Sequence, residues 1–178
     1  MTIPDKSSPL TKARRIPLSQ RGLFLLEALI AILIFSFGIL GLVGMQSKAI
    51  STQSESQYRI EAANFANKIM NEIWISIDRS NMGATPTSLQ TSLLAFQHQP
   101  SGANCSFSGG ASANAYVTDW INSMTTGTTA LPGATAAMQQ IQVNTAAGNY
   151  NRVTITVCWQ SPVDVTPHRH TIITYVNS

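Results

Sequence analysis

The sequence predicts an α+β protein in which one long N-terminal helix packs on a C-terminal antiparallel sheet. A helix is indicated first, because no proline occurs from Leu23 to Asp78 and no glycine from Gln46 to Asp78. A sheet is indicated near the C-terminus, where apolar and polar side chains alternate with the two-residue period of strands. The chain has 178 residues, which leaves room for one domain beyond the first, apolar part of the helix.

The first part of the helix, residues 23–45, is apolar apart from Glu27. It is about 35 Å long at about 1.5 Å per residue, which is enough to span a bilayer. An acid costs roughly 2.5–3.5 kcal/mol at mid-bilayer, so we expect Glu27 to have a purpose. A cut between Gly22 and Leu23 would supply one, because Glu27 of a neighbouring copy could then pair with the new α-amino group.

The residues before the cut, 1–22, are a basic leader. Five of the 11 Lys and Arg residues lie there, with one of the 8 acids. The positive-inside rule therefore predicts a cytoplasmic N-terminus and an exported C-terminal part. A secretory signal is a poor match, because Ala28 and Ala31 lie inside the apolar run and its end, residues 41–46, reads GLVGMQ. An uncleaved anchor would leave Glu27 unexplained.

Charge beyond the leader argues against nucleic acid as a partner. Six Lys and Arg and seven acids follow Gly22, a net side-chain charge of −1. The basic character of the whole chain belongs to the leader, and a nearly neutral body does not favour a surface that neutralises phosphates.

The helix is expected to continue through residues 46–79 as an amphipathic segment, to about Arg79. Apolar residues at four-residue spacing form two adjacent rows, and charged residues mostly lie off them. The rows are Ala62, Ala66, Met70 and Trp74, and Phe65, Ile69, Ile73 and Ile77. Three glycines, Gly38, Gly41 and Gly44, interrupt the apolar half, and two interpretations stay open for them: close packing of small residues, or a segment that can unwind.

Residues 80–178 are expected to form a globular head that begins with two short helices. Thr85-Pro86 indicates the start of the first helix, with an apolar face of Leu89, Leu93 and Phe96. Residues 101–115 have the composition of a loop. The second helix is centred on Trp120, with Tyr116 and Met124 on the same face and Asp119 and Asn122 facing out.

Three strands complete the predicted head. They cover about residues 139–146, 152–160 and 170–176, with a turn at Gly148-Asn149 between the first two. The middle strand alternates most regularly, with Val153, Ile155, Val157 and Trp159 on one face. We expect an antiparallel meander whose apolar face covers the stripe of the helix.

The two cysteines, Cys105 and Cys158, would lie in an exported, oxidising compartment. A disulfide is the simplest expectation there, and two unpaired buried thiols are the alternative. Closing this loop would stabilise the fold by up to roughly 4 kcal/mol in the chain-entropy model.

No metal or cofactor site is expected. Two cysteines without a Cys-x-x-Cys motif make a poor metal site, and His168 and His170 could share a strand face but have no third ligand. Nothing in the sequence resembles a nucleophile elbow or a Gly-rich phosphate loop, so we do not expect an enzyme.

The N-terminal pattern resembles type IV pilins. Residues 20–31, QRGLFLLEALIA, and 36–42, SFGILGL, narrow the resemblance to the minor pilins of the PilV family, the type IV pilus modification proteins. Residues 131–133, LPG, and 153–159, VTITVCW, resemble later parts of that family. Two residues depart from the pattern: Leu23 stands where Phe is usual, and Ala134 stands where a second Gly is common.

The resemblance implies a type IV pilin fold and a role in pilus assembly. A prepilin peptidase would cut between Gly22 and Leu23, the amine of Leu23 would be N-methylated, and Glu27 would set the register of neighbouring subunits. Partners would be other minor pilins, the major pilin, the inner-membrane assembly machinery and, before assembly, membrane lipid. The protein would cross the inner membrane once, with a periplasmic head, and then enter the surface pilus. A type II secretion pseudopilin, or a pilus subunit that binds DNA or a host surface, are the alternatives.

Overall fold

The long N-terminal helix, α1, runs from Gln20 to Ser76 and contains 57 residues. The computed structural model describes residues 20–81, 83, 85–162 and 164–177, with side chains from Gly22 onward. The leader's cationic side chains therefore lie outside the described residues, although α1 begins inside the predicted leader. Internal contacts divide the chain into two units that meet between Ser51 and Thr52.

The end of α1 at Ser76, rather than at Arg79 as predicted, has a tertiary cause. The backbone N–H of Asp78 donates to Ser92 Oγ at 3.1 Å, and that of Asn81 donates to Ser88 Oγ at 2.9 Å. Side chains of the next helix thus bind N–H groups that would otherwise continue the helical ladder.

That next helix, α2, covers Ser88–Leu94 and begins two residues after Pro86. Thr87 sets the start, because its side chain accepts from the N–H of Gln90 while the Gln90 side chain accepts from the N–H of Thr87. This reciprocal capping box satisfies two donors that a helix start leaves unpaired.

The segment predicted as a loop, residues 101–115, instead contains a small hairpin. Strands β1, Ser101–Ala103, and β2, Ser106–Ser108, pair antiparallel. Asn104 and Cys105 form the turn with φ of 53° and 63°, the double left-handed geometry of a two-residue hairpin loop. The prediction was wrong because these strands are short and exposed, so they have no hydrophobic alternation that a sequence could show.

Helix α3, Ala115–Thr125, agrees with the predicted second helix. Asn114 caps it by accepting from the N–H of Tyr116 at 2.9 Å. Trp120 and Met124 are buried and Asp119 and Asn122 are exposed, as predicted, whereas Tyr116 is half exposed.

The C-terminal sheet has the antiparallel order β3–β4–β5, as predicted. Its strands are β3, Gln140–Asn144, β4, Arg152–Trp159, and β5, His168–Tyr175. The last strand begins two residues earlier than expected, since His168 pairs with Trp159.

The core lies in the second unit, from Thr52 onward, and this unit is called the head from here on. Residues 52–76 of α1 pack on one side of the core and the sheet on the other, with α2 and α3 closing it. Trp74, predicted in the helix stripe, is 38% exposed, so the buried row runs through Ile69 and Ile73 instead. Most other members of the core lie on the predicted faces, among them Ala62, Ala66, Leu89, Leu93, Phe96, Val117, Trp120, Met124, Ile141, Val153, Ile155, Val157 and Trp159. This is the predicted α+β architecture of the pilin type.

Candidate assembly site

The described part of the first unit exposes its apolar surface, and no other described residue covers it. Every described side chain from Gly22 to Ser51 is exposed. Between Leu23 and Met45, sixteen large apolar side chains are each 45–74% exposed. Burying an apolar side chain of this size stabilises a protein by about 1.5–3 kcal/mol, so these side chains together would contribute tens of kcal/mol. A helix exposed to water does not gain this free energy. This helix is long and apolar enough to cross a membrane.

Leu23 and Glu27 lie one helical turn apart on the same side of this exposed segment. Both are exposed, and the backbone nitrogen of Leu23 is an amide while the leader is attached. Only a cut before Leu23 would turn that nitrogen into an amine with a positive charge. Within one chain, the two positions are four residues apart on a continuous helix, so a pairing that fixes register requires a second copy.

The three glycines of this segment leave the helix unbroken. Apart from its chain neighbours and the backbone of its own helix, a Cβ added at Gly38, Gly41 or Gly44 would meet no described atom within 4 Å. No neighbour within the described chain therefore uses their small size, and both interpretations of the glycines stay open.

The predicted disulfide is present in the head. Cys105 in the hairpin turn is bonded to Cys158 in β4, with their Cα atoms 5.8 Å apart. Both residues are buried, and the bridge holds the hairpin against the face of the sheet that points away from the core.

His168 has partners that sequence spacing alone does not identify. Its Nδ1 lies 3.7 Å from Glu55 Oε1 and its Nε2 lies 3.1 Å from Asp164 Oδ2. Its ring also stacks on Trp159 with 5.7 Å between centroids. Asp164 is four residues away and could have been suspected, but Glu55 is on α1 and only the fold brings it close.

Another carboxylate of the head serves local structure. The N–H and hydroxyl of Ser80 lower the pKa of Asp78, whose Oδ1 accepts the N–H at 2.8 Å just beyond α1. Among the residues that the structure describes, no group of three or more His, Cys, Asp or Glu side chains could hold a metal ion.

Comparison of the chain with protein-family models, with curated proteins and with solved structures finds no match.

Proposed function

We propose that this protein is a minor pilin of the type IV pilus, similar to the PilV family. The observation that carries the proposal is the exposed apolar half of α1 joined to a head that covers its own core. The apolar side chains of such a helix need an environment other than water. A pilus subunit meets two of them in turn, the bilayer before assembly and the interior of the filament after it.

Before assembly, the apolar half crosses the inner membrane with the leader in the cytoplasm and the head in the periplasm. The Cys105–Cys158 disulfide suits an oxidising compartment of this kind. The uncut leader would resist being drawn into lipid, because each cationic side chain costs roughly 2.5–3.5 kcal/mol at mid-bilayer.

Removal of the leader by prepilin peptidase, between Gly22 and Leu23, frees the helix to move lengthwise into the filament. The N-methylated amine of Leu23 is then a cation at the positive end of the helix. Glu27 of an adjacent subunit pairs with it among apolar helices. Such a buried pair contributes to axial register more than to net stability, because desolvation offsets much of its attraction.

Replacing Glu27 tests this directly. Glu27→Ala should be inserted and cleaved like the wild type, since neither step needs the acid, but its recovery in sheared surface pili should fall sharply. Glu61→Ala is the matched control, because Glu61 lies on the same helix within the head. Normal recovery of Glu27→Ala in pili would contradict the role in register.

Mass spectrometry of the assembled protein tests the class itself. An N-terminal methyl-leucine at residue 23 is expected, and an intact Met1 would refute the proposal. If the protein co-purifies with a secretion apparatus and is absent from surface pili, it is a type II secretion pseudopilin and not a pilus subunit.

A further inference from the structure

Charge is segregated within the head. Its described acids lie on α1 and α3, in the segment after α1, or in the loop between β4 and β5: Glu55, Glu61, Glu72, Asp78, Asp119 and Asp164. The five strands carry no acid and two cations, Arg152 and Arg169. Within the described chain neither arginine has a carboxylate within 4.0 Å.

Both arginines belong to the outer face of the sheet. Arg152 and Cys158 are six residues apart in β4 and therefore point to the same side, opposite the buried Val153. Arg169 pairs with Cys158, and directly paired residues share a face. The two cations thus stand about 20 Å apart along the strand direction, at about 3.3 Å per residue.

Each arginine lines a shallow depression. The depression at the start of β4 has a volume of about 470 Å³. Arg152 lines it together with Tyr150, Tyr175 and the side-chain amides of Asn149 and Asn177. Tyr150 is 68% exposed and Tyr175 is 51% exposed, so both rings offer free surface.

The depression beside the hairpin measures about 570 Å³. Arg169 lines it with Thr171, Gln140 and Phe107. The strands between the two depressions present neutral polar groups, among them Thr154 and Gln142, and the apolar Ile173.

We propose that this outer sheet face binds an extended acidic polysaccharide. Carboxylates of the polymer would pair with Arg152 and Arg169, because the guanidinium fork matches a carboxylate in two hydrogen bonds. Sugar rings would lie on Tyr150 and Tyr175, and hydroxyls would exchange hydrogen bonds with the side-chain amides and threonines. This function is separate from filament assembly and does not depend on it.

The spacing of charge favours a polysaccharide over a nucleic acid. A strand of duplex DNA carries a phosphate about every 3.4 Å, so roughly six would face a 20 Å surface with a cation only at each end. A uronic-acid polymer with neutral groups between its carboxylates fits two separated cations and a polar middle. Because the sheet carries no acid, such a ligand meets no like charge there.

The test is equilibrium binding to the full chain in a non-ionic detergent, at ligand concentrations up to millimolar. Three probes are compared: a hyaluronate oligomer long enough to span the face, in which a neutral N-acetylglucosamine separates successive glucuronates, the same oligomer methyl-esterified to remove its charge, and oligo-dT. We expect saturable binding of the hyaluronate oligomer, with the ester about tenfold weaker or worse. Absence of saturable binding, equal affinity for the ester, or tighter binding of oligo-dT would each overturn the proposal.

Substitutions then locate the site. Arg152→Gln and Arg169→Gln should each weaken binding of the hyaluronate oligomer by about tenfold, and Tyr175→Ala should also weaken it. Arg79→Gln is the matched control, because Arg79 is exposed but stands over the Trp74 ring away from the sheet. Unchanged thermal unfolding would show that the variants fold. Unchanged affinity in both arginine variants would overturn the proposal, whatever the result for Glu27.

Discussion

At the scale of single residues, the two buried tryptophans of the head differ in the fate of one N–H group. Trp120 Nε1 donates to the carbonyl oxygen of Phe65 on α1 at 2.8 Å. Trp159 Nε1 is buried and has no hydrogen-bond partner among the described residues. The N–H of Trp120 ties α3 to α1, whereas that of Trp159 is buried without a bond to any described residue.

Replacing each indole by a phenyl ring separates these cases. Both Trp120→Phe and Trp159→Phe remove volume from the core. Trp120→Phe also removes the hydrogen bond that the indole N–H donates to the carbonyl oxygen of Phe65. We expect Trp120→Phe to destabilise the head more, by about 1–3 kcal/mol. Thermal unfolding followed by near-UV circular dichroism would measure the difference. An equal or larger loss in Trp159→Phe would show that its N–H has a partner after all.

At the scale of elements, the β1–β2 hairpin depends on other parts of the head. Its strands have three residues each, too few for a stable isolated hairpin. Side chains of β3 hold the segment before it, where Gln140 donates to Gln99 O at 2.9 Å and Gln142 donates to Pro100 O at 3.2 Å. The disulfide then joins the turn to β4 across 53 positions of sequence.

Removing the bridge should therefore loosen the hairpin and lower stability. For Cys105→Ala with Cys158→Ala we expect a loss of up to roughly 4 kcal/mol, because the unfolded chain regains the freedom of the open loop. Denaturant unfolding with and without a thiol reductant measures it. The double variant is its own control, since reductant should no longer change its midpoint. A wild-type midpoint that ignores complete reduction would contradict the expectation.

At the scale of the whole molecule, the two units bury their apolar side chains to opposite extents. The unit from Thr52 onward contains the entire buried core, whereas the described residues before it bury no side chain. The head thus has the buried contacts of a unit that folds in water, whereas the apolar side chains of the first unit have no cover among the described residues.

A chain that begins at Thr52 should therefore be a soluble, folded monomer. We expect it to keep the disulfide and the near-UV dichroism of the full chain in detergent, because no core residue has been removed. Light scattering after gel filtration gives the oligomeric state, and the full chain without detergent is the comparison, expected to aggregate. An unfolded or aggregated head would mean that residues before Thr52 support its core.

Only some residues of the outer sheet face could be assigned to that face from the sequence. Strand parity places Arg152 and Cys158 on one face as soon as β4 is recognised. That Arg169 joins them required the register of β5, which begins two residues before the predicted strand. Tyr150 lies in a turn with φ of 50°, so its position followed from no periodicity at all.

The sequence by itself determined what depends on local pattern: the long helix, its division into an apolar and an amphipathic half, α3, and the buried faces of β3 and β4. These follow from hydrophobic period and length, which are written along the chain. The tertiary structure alone decided the end of α1, the β1–β2 hairpin, the exposure of Trp74 and the contacts of His168. Each depends on partners that no hydrophobic period records: side chains of α2 for the end of α1, β3 and the disulfide for the hairpin, the packing around Trp74, and Glu55 of α1 for His168.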